Sequence, residues 1–218
     1  MQIHNFEQHS DDWYRIRLGK LTASHAATIK TAGQGLETLC FDLAAERLTG
    51  IAKDNFQTPA MQQGNELEDN ARTLFELQTG LAVTQVGFVE LDDYIGCSPD
   101  GLIGEDAGLE IKCPQDNTFT RYLYDSKIKP EYYGQMQMNM LITNRPRWYY
   151  VVYNPHFNPS IVIKEVFTDG EYQEALAQGL AKGKARIQEI LTTIGERGAF
   201  SKNERIITPN AELPTSKD

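Results

Sequence analysis

The stretch that decides the fold is Ser98-Pro99-Asp100-Gly101, followed after a short connection by Leu109-Glu110-Ile111-Lys112-Cys113-Pro114. The second part alternates apolar and charged residues, which predicts a β-strand whose side chains point to opposite faces in turn. Glu110 and Lys112 then project from one face, and the apolar residues between and beside them project from the other. Asp100 stands at the far end of the connection, where a neighbouring strand brings its carboxylate beside Glu110. The sequence therefore predicts two acids and a lysine gathered at one edge of a sheet.

Such a cluster has a chemical use in phosphodiester hydrolysis. Two carboxylates repel each other, and Mg²⁺ relieves the repulsion because this hard cation binds carboxylates, water and substrate phosphate. The lysine would hold or deprotonate the water that attacks phosphorus, or stabilise the charge that develops there. The alternative is a turn followed by an edge strand whose charges face solvent. Three other segments of the chain bear on this choice.

A helix is predicted over residues 62–78, because apolar residues recur there at helical spacing. With Leu67 at the centre of its buried face, Glu66 and Glu68 flank that face on opposite sides. Either glutamate would add a third acid to the metal site. The alternative is a solvated helix surface on which Glu68 pairs with Arg72 at i, i+4.

A second helix is predicted over residues 131–143. Its polar stripe at i, i+3 and i+7 consists of uncharged donors that suit contacts to phosphate or to attacking water: Tyr132, Gln135 and Asn139. The opposite face is apolar: Tyr133, Met136 and Met140. Alternatively, the helix is simply amphipathic and its polar side faces solvent.

The third segment combines Arg17 with Thr22 and Ser24 at a predicted helix start. The guanidinium group offers a planar fork for phosphate, and hydroxyls beside free N–H groups at a helix N-terminus form a natural anion site. Thr22 and Ser24 are also plausible N-caps, which is a purely structural role.

The remaining pattern predicts one α/β (α+β) domain over residues 1–200 and a loose or partner-docked tail over residues 201–218. Residues 100–108 are expected to be a connection without regular structure. Other helices are expected at 13–18, 24–30, 36–49 and 171–194, and strands at 81–91, 94–97, 109–113, 148–153 and 161–167. Helices before, between and after a run of strands are typical of this class.

Composition excludes several classes of protein. No apolar run approaches the roughly 20 residues that cross a bilayer, and the N-terminus lacks the features of a signal peptide. The three cysteines (Cys40, Cys97 and Cys113) are too few and too scattered for a disulfide framework, a zinc site or an iron–sulfur cluster. We therefore expect a cytoplasmic protein with no membrane partner, in which each cysteine is a small core residue.

The charge is −9, from 21 Lys and Arg against 30 Asp and Glu, which at face value argues against nucleic acid. Seven of these acids lie between Glu90 and Glu110, where there is no Lys or Arg, so the rest of the chain is only −2. A locally basic stretch follows: Arg121, Lys127, Lys129, Arg145 and Arg147. The charge therefore does not exclude DNA, and we expect an acidic exterior, a narrow basic track, and weak affinity for DNA where the metal and the DNA end are absent.

Together and in this order, the motifs resemble the lambda-type phage exonuclease family, whose members carry a YqaJ-like viral recombinase domain. The matching residues extend over about 12–153: 12–19, 21–24, 64, 68–76, 97–102, 108–114 and 135–137. The resemblance implies a restriction-endonuclease-like core, in which a central mixed sheet flanked by helices carries a Pro-Asp…Glu-x-Lys (PD-(D/E)xK) site. It also implies Mg²⁺-dependent 5′→3′ digestion of one strand of double-stranded DNA from its ends.

The resemblance also implies roles for individual residues. Asp100, Glu110 and the Ile111 carbonyl would bind the metal, with two ions per site and Mn²⁺ as an acceptable substitute. Glu68, rather than Glu66, matches the helical glutamate of the family, and Lys112 matches its catalytic lysine. Further implied site residues are Tyr132 and Gln135 beside the reaction, and Arg17, Ser24 and Thr22 around the 5′-phosphate. Lys30 is a candidate for a further basic residue of that pocket.

Family members form ring-shaped homotrimers around DNA and work with a single-strand annealing protein in phage recombination. We therefore expect a phage or prophage protein that acts in the bacterial cytoplasm. Two other functions are open: a structure-selective endonuclease of the same core, and a non-catalytic DNA-end-binding or assembly module. A Ca²⁺-binding module is disfavoured because the acids of residues 92–106 lack the ligand spacing of an EF-hand.

Overall fold

The computed structural model describes residues 1–52 and 59–197, and for 59–66 and 197 it describes only the backbone. In chain order the elements are β1 (Gln2–His4), α1 (Asp11–Arg17), β2 (Leu21–Thr22), a 3-10 turn (Ala23–His25), α2 (Ala26–Thr31), α3 (Gln34–Thr49), α4 (Pro59–Thr79), β3 (Val83–Thr84), β4 (Phe88–Asp92), β5 (Ile95–Cys97), β6 (Gly101–Ile103), β7 (Ala107–Lys112), α5 (Asp116–Asp125), α6 (Pro130–Thr143), β8 (Arg147–Tyr153), β9 (Ile161–Phe167) and α7 (Gly170–Arg197). The predicted tail over residues 201–218 lies outside the described residues.

The larger sheet has the motif strand β7 at its centre. Its order is β3-β6-β7-β8-β9, with β7 parallel to β8 and the other pairs antiparallel. In β8 every residue from Trp148 to Tyr153 is buried, as expected for a strand that is covered on both faces. The predicted α/β (α+β) class, with a central mixed sheet flanked by helices, is confirmed.

Two helices cover the faces of this sheet. Residues packed on the α4 side are Ala71, Phe75, Leu109, Ile111, Tyr149 and Val151. Residues packed on the α6 side include Met136, Met140, Trp148, Tyr150 and Val152. Each large apolar side chain that is fully buried contributes about 1.5–3 kcal/mol. Packing on both faces therefore fixes β7, and with it the direction of Glu110 and Lys112 toward α6.

A smaller sheet, in the order β1-β4-β5-β2, lies before the motif. Strands β2 and β5 are parallel in it, with Thr22 opposite Gly96. The chain leaves this sheet at the end of β5 and enters the larger one at β6, so residues 98–100 form the crossing between the two sheets. Asp100 owes its position to that crossing.

Besides strands β1 and β2, which were not predicted, three segments differ from the predictions. Residues 100–108 contain strand β6, which the glycines and acids of that segment obscured. Residues 81–91 are not one strand, because β3 and β4 belong to different sheets. Between them lies Gly87, where an added Cβ would stand 2.3 Å from the Phe6 carbonyl oxygen. Helix α5 was not predicted, since only Phe119 and Tyr122 of its ten residues are buried.

The helix ends are partly as predicted. Gly50 and Gly80 follow α3 and α4 with φ of 70° and 71°, a left-handed conformation that glycine adopts without strain. The predicted capping role of Thr22 and Ser24 is wrong. Thr22 precedes the 3-10 turn but its side chain makes no capping hydrogen bond, and its hydroxyl lies 3.0 Å from that of Ser24. Within the described ranges, no helix is both long enough and apolar enough to cross a bilayer.

Candidate active site

Asp100 is joined directly to the motif strand. Its Oδ2 accepts a hydrogen bond of 2.6 Å from the Ile111 N–H. Strand β6 pairs with β7 only as far as Gly101 and Leu109, so the Ile111 N–H would otherwise have no strand partner on that side. In an antiparallel pair the N–H and carbonyl of one residue face the same neighbour. The Ile111 carbonyl therefore lies on the side of Asp100 as well.

Glu110 is the buried acid of the site, with no exposed surface. Its Oε1 lies 2.6 Å from Lys112 Nζ, and its Oε2 accepts a hydrogen bond of 3.4 Å from Asn139 Nδ2. Burial raises the pKa of the Glu110 carboxyl, and Asp100 adds to the rise, while Lys112 offsets it only in part. The predicted gathering of two acids and a lysine is therefore present, and the charges do not face open solvent.

Lys112 is held as a cation by the acids around it. Burial alone would lower the pKa of this ammonium group, but Glu110, Asp100 and Glu68 together raise it above the usual value. The ammonium nitrogen also lies 5.2 Å from the centroid of the Tyr132 ring. The structure thus brings Tyr132 beside Lys112, as predicted.

Helix α4 contributes Glu68. Burial raises the pKa of the Glu68 carboxyl to about 8, and the negative charge of Asp100 raises it further, so the two acids interact electrostatically. Arg72 forms an ion pair with Asp69 at 2.5 Å, and its charge also lowers the pKa of Glu68, against the larger effect of burial. The side chain of Glu66 lies outside the described part of the chain.

The polar stripe of α6 faces inward. Asn139 is fully buried and donates to Glu110, so the alternative of a stripe in solvent is wrong. The Asn139 Oδ1 is buried without a hydrogen-bond partner. Gln135 is half-buried on the same helix, one turn beyond Tyr132. Helical periodicity predicted which residues share the stripe but not that the stripe faces inward, because α6 is packed on both sides.

A cationic pocket adjoins these acids. Arg17 donates a hydrogen bond of 3.0 Å to the Ser98 hydroxyl, and Trp13 Nε1 donates one of 2.9 Å to the same oxygen. The guanidinium lies 4.2 Å from the centroid of the Trp13 ring. Burial lowers the pKa of Arg17 to about 10. The hydrogen bond of the guanidinium is to a hydroxyl rather than to a carboxylate, although the charge of Glu46 also acts on it.

Ser98 is a residue that sequence reasoning did not assign. The available signal was its position directly before Pro99-Asp100, which ties the pocket to the acids. The hydroxyls of Thr22 and Ser24 lie on the neighbouring strand β2 and the turn after it, where Thr22 is buried and Ser24 is exposed. The Lys30 ammonium lies over the ring of Tyr172 on α7, at 4.4 Å from its centroid.

The basic track is shorter than predicted. Arg145 donates to the carbonyls of Ile103, Gly104 and Ala107. Arg147 pairs with Asp106 and Glu165. Both arginines lie near the start of β8, at the opposite end of the sheet from Lys112. Their predicted membership of the basic track is therefore wrong. The exposed cations that remain are Arg121, Lys127 and Lys129.

The donor atoms suit a hard divalent cation. Asp100 Oδ1, the Glu110 carboxylate and the Ile111 carbonyl are all oxygens, which Mg²⁺ prefers. Among the described residues, no three His, Cys, Asp or Glu side chains form a ready-made metal shell. Mg²⁺ does not require one, because it keeps several waters and binds through one or two carboxylates and substrate phosphate.

The cysteines are not nucleophiles at this site. Cys40 and Cys97 are buried and Cys113 is half-buried, and all three are free thiols. Burial raises the pKa of each thiol, that of Cys113 to about 12, so the reactive thiolate is scarce near neutral pH. The predicted core role is confirmed for Cys40 and Cys97.

Solved structures of exonucleases share this fold. A crystal structure of LHK-Exo in complex with dAMP has a TM-score of 0.79 and 30% identity, covering 87% of this chain and 98% of that chain. The alkaline exonuclease LHK-Exo from Laribacter hongkongensis gives a TM-score of 0.73 and 32% identity, covering 86% and 99%. A phage-related exonuclease from Haemophilus somnus 129PT has a TM-score of 0.61 and 14% identity, covering 80% of this chain and 96% of that chain. At this identity the likeness shows the fold alone. No curated protein sequence matches the chain.

The sequence profile of the YqaJ-like viral recombinase domain matches residues 12–146. This span is more than half of the chain, and it contains the pocket of Arg17 and Ser98 as well as the acids and Lys112. The chain therefore belongs to the YqaJ-like viral recombinase domain family and is a nuclease of that family.

Proposed function

We propose that this nuclease is a Mg²⁺-dependent 5′→3′ exonuclease, which digests one strand of double-stranded DNA from its ends and leaves 3′ single-stranded overhangs. The observation that carries this proposal is the tripeptide Ser98-Pro99-Asp100. Ser98 belongs to the cationic pocket and Asp100 to the acid cluster, so the chain holds the two at a short, fixed separation. A terminal 5′-phosphate bound in the pocket would bring a nearby phosphodiester to the acids.

Asp100, Glu110 and the Ile111 carbonyl would hold two Mg²⁺ ions, with Glu68 acting through water and Mn²⁺ as an acceptable substitute. Bound Mg²⁺ would supply Lewis-acid stabilisation of the negative charge on the scissile phosphate. The role of Glu68 is supported by its electrostatic interaction with Asp100. The role of Glu110 is supported by its burial and its hydrogen bond from Asn139. The Asp100–Ile111 hydrogen bond would orient the carboxylate.

Lys112 would donate to the scissile phosphate as charge develops there. The three acids that raise its pKa support this role over proton abstraction, because they keep the ammonium protonated. Tyr132 limits the freedom of the ammonium from the α6 side. Gln135, one helical turn away, would position the attacking water or the phosphate.

Arg17, Ser24 and Thr22 would select the 5′-phosphate, with Ser98 as a further member of this pocket. A half-buried guanidinium is suited to this task, because an anion that enters a partly desolvated site interacts more strongly than one in water. Arg121, Lys127 and Lys129 would contact the DNA backbone. The homotrimeric ring, the single-strand annealing partner and action in the bacterial cytoplasm during phage recombination remain part of the proposal by family resemblance.

The Lys112→Ala variant tests the catalytic assignment. Removing one positioned donor costs about 10²–10³-fold in rate, so digestion of linear duplex should fall to near background. Affinity for duplex in chelator should change little, because Lys112 lies in the acid cluster and not on the basic track. Lys182→Ala on α7 is the matched control and should digest normally. Undiminished digestion by Lys112→Ala would refute the assignment.

The same assay separates the other candidate functions. A covalently closed plasmid should remain uncut in Mg²⁺ by an end-dependent exonuclease, whereas a structure-selective endonuclease would nick or linearise a plasmid that carries a suitable structure. A non-catalytic end-binding module would retain linear DNA without shortening it, with or without chelator.

A further inference from the structure

His9 has an unusual backbone conformation close to the cationic pocket. Its φ is 67°, which lies in the left-handed region that residues other than glycine adopt only at a steric penalty. Asn, Asp and His enter this region more readily than other residues, so the turn tolerates a histidine although glycine would suit it better. Non-glycine residues held in this way cluster at functional sites. The position of the imidazole therefore matters.

The turn that carries His9 is fastened to the site. The preceding residue, Gln8, donates from its side-chain amide to the Val86 carbonyl at 3.0 Å and to the Pro99 carbonyl at 2.9 Å. The second of these bonds reaches the middle of the tripeptide that joins the pocket to the acids. Ser10, the next residue, caps helix α1 through its hydroxyl. His9 thus has anchored neighbours on both sides.

Trp13 is the platform on which the pocket is assembled. The His9 ring packs on the Trp13 ring with centroids 4.7 Å apart. Arg17 lies over the same indole, whose Nε1 binds Ser98. An imidazole, a guanidinium and a hydroxyl therefore converge around one indole, and His9 is the exposed member of the group.

Charges from both halves of the site act on His9. Burial lowers the pKa of the imidazole, Arg17 lowers it further, and Asp100 opposes the change. Both the pocket guanidinium and the acid that would bind metal are thus near enough to act on His9. A purely structural turn residue has no need of this location.

We infer that His9 is a binding residue for the 5′-phosphorylated DNA end, with an imidazole N–H that donates to the terminal phosphate held by Arg17 and Ser98. This inference rests on the proposed function, in which that pocket receives the 5′-phosphate. It adds a donor at the exposed rim of the pocket, where an incoming end first arrives.

The test compares the wild-type chain with His9→Gly, which removes the imidazole and relieves the left-handed backbone. Affinity is measured in chelator, by fluorescence anisotropy, for matched duplexes that carry a 5′-phosphate or a 5′-hydroxyl. A lost hydrogen bond to a charged group should weaken binding of the phosphorylated duplex about tenfold and leave the hydroxyl duplex within about twofold. In Mg²⁺, KM for phosphorylated ends should rise by the same factor while kcat stays within about twofold.

Ala32→Gly is the matched control. Ala32 also has a positive φ, of 49°, but it lies at the end of α2 and outside the pocket. Both glycine variants should keep or raise the Tm, and only His9→Gly should lose the preference for phosphorylated ends. A His9→Gly variant that retains the wild-type preference would overturn the inference, and so would a wild-type chain that binds both duplexes equally. A wild-type chain that prefers phosphorylated ends but does not digest them in Mg²⁺ would instead contradict the proposed exonuclease activity, and the binding comparison would still decide the role of His9.

Discussion

In the candidate active site, charged side chains are packed closely together, which costs stability. Three acids surround Lys112: Glu68, Asp100 and Glu110. Burial raises the pKa values of Glu68 and Glu110. The Glu-x-Lys alternation predicted which side chains share a face, because the period of a strand is fixed. It did not predict that Asn139 faces Glu110 or that Ser98 binds Arg17, since those contacts depend on how distant elements pack.

Asp100→Asn tests this crowding. The amide oxygen can still accept the Ile111 N–H, while one negative charge is lost, so unfolding in chelator should become less favourable by about 0.5–2 kcal/mol. Mg²⁺ should raise the Tm of the wild-type chain but not that of the variant, because a ligand stabilises only the form that binds it. Differential scanning fluorimetry with and without Mg²⁺ measures both effects. A variant that is less stable in chelator and still stabilised by Mg²⁺ would contradict the assignment of Asp100 as a ligand.

Among the secondary structure elements, long and strongly patterned ones were predictable and short ones were not. The helices over α3, α6 and α7 and the β8–β9 pair appeared at the expected places, because each has a clear period and an end signal. Strands β1, β2 and β6 have two or three residues each, too few to establish a period. Without β1 and β2 the smaller sheet was missed, and without β6 so was the crossing between the two sheets that positions Asp100.

The smaller sheet is tied together by a buried ion pair. Lys20 donates to Glu90 at 2.7 Å, and His4 lies 3.0 Å from the other oxygen of the same carboxylate. Burial alone would raise the pKa of Glu90, but the hydrogen bonds from Lys20 and His4 outweigh it and lower the pKa. A carboxyl whose pKa is lower in the folded than in the unfolded state stabilises the fold at any pH above its unfolded pKa, about 4.3. That contribution is lost as the pH falls through the pKa of the folded state.

Glu90→Gln should therefore be less stable than the wild-type chain at pH 7, and the difference in Tm should shrink as the pH falls below about 4. Thermal unfolding at a series of pH values measures this difference. A difference in Tm that is the same at pH 7 and pH 3 would show that the ion pair does not account for it.

The connection between α5 and α6 carries what remains of the basic track. Lys127 and Lys129 are exposed, and the Lys129 ammonium lies 5.2 Å from the centroid of the Tyr132 ring, which connects the track to the active site. If each lysine neutralises one phosphate, replacing both with alanine should reduce the slope of log affinity against log salt by about 1.8. Binding of duplex in chelator at several salt concentrations gives the slope. An unchanged slope would exclude this connection as a DNA contact.

For the whole molecule, the net charge of −9 is compatible with DNA because much of it is compensated internally. Four of the seven acids between Glu90 and Glu110 have cationic partners: Glu90 with Lys20, Asp92 with Lys184, Asp106 with Arg147 and Glu110 with Lys112. The expected acidic exterior is accordingly less acidic than the sequence indicates. Composition cannot reveal this, because it counts charges without their partners.

The polarity of digestion decides whether this nuclease is a 5′→3′ exonuclease. A linear duplex is prepared with a 5′-phosphate on one strand only, a 5′-hydroxyl on the other and a distinct fluorophore on each 3′ end. In Mg²⁺, the phosphorylated strand should shorten progressively while keeping its 3′ label, the other strand should remain full length, and chelator should stop the reaction. Early release of the 3′ label in a mononucleotide would show digestion from the 3′ end and contradict the proposed polarity. Shortening without a divalent metal would contradict the proposed dependence on Mg²⁺.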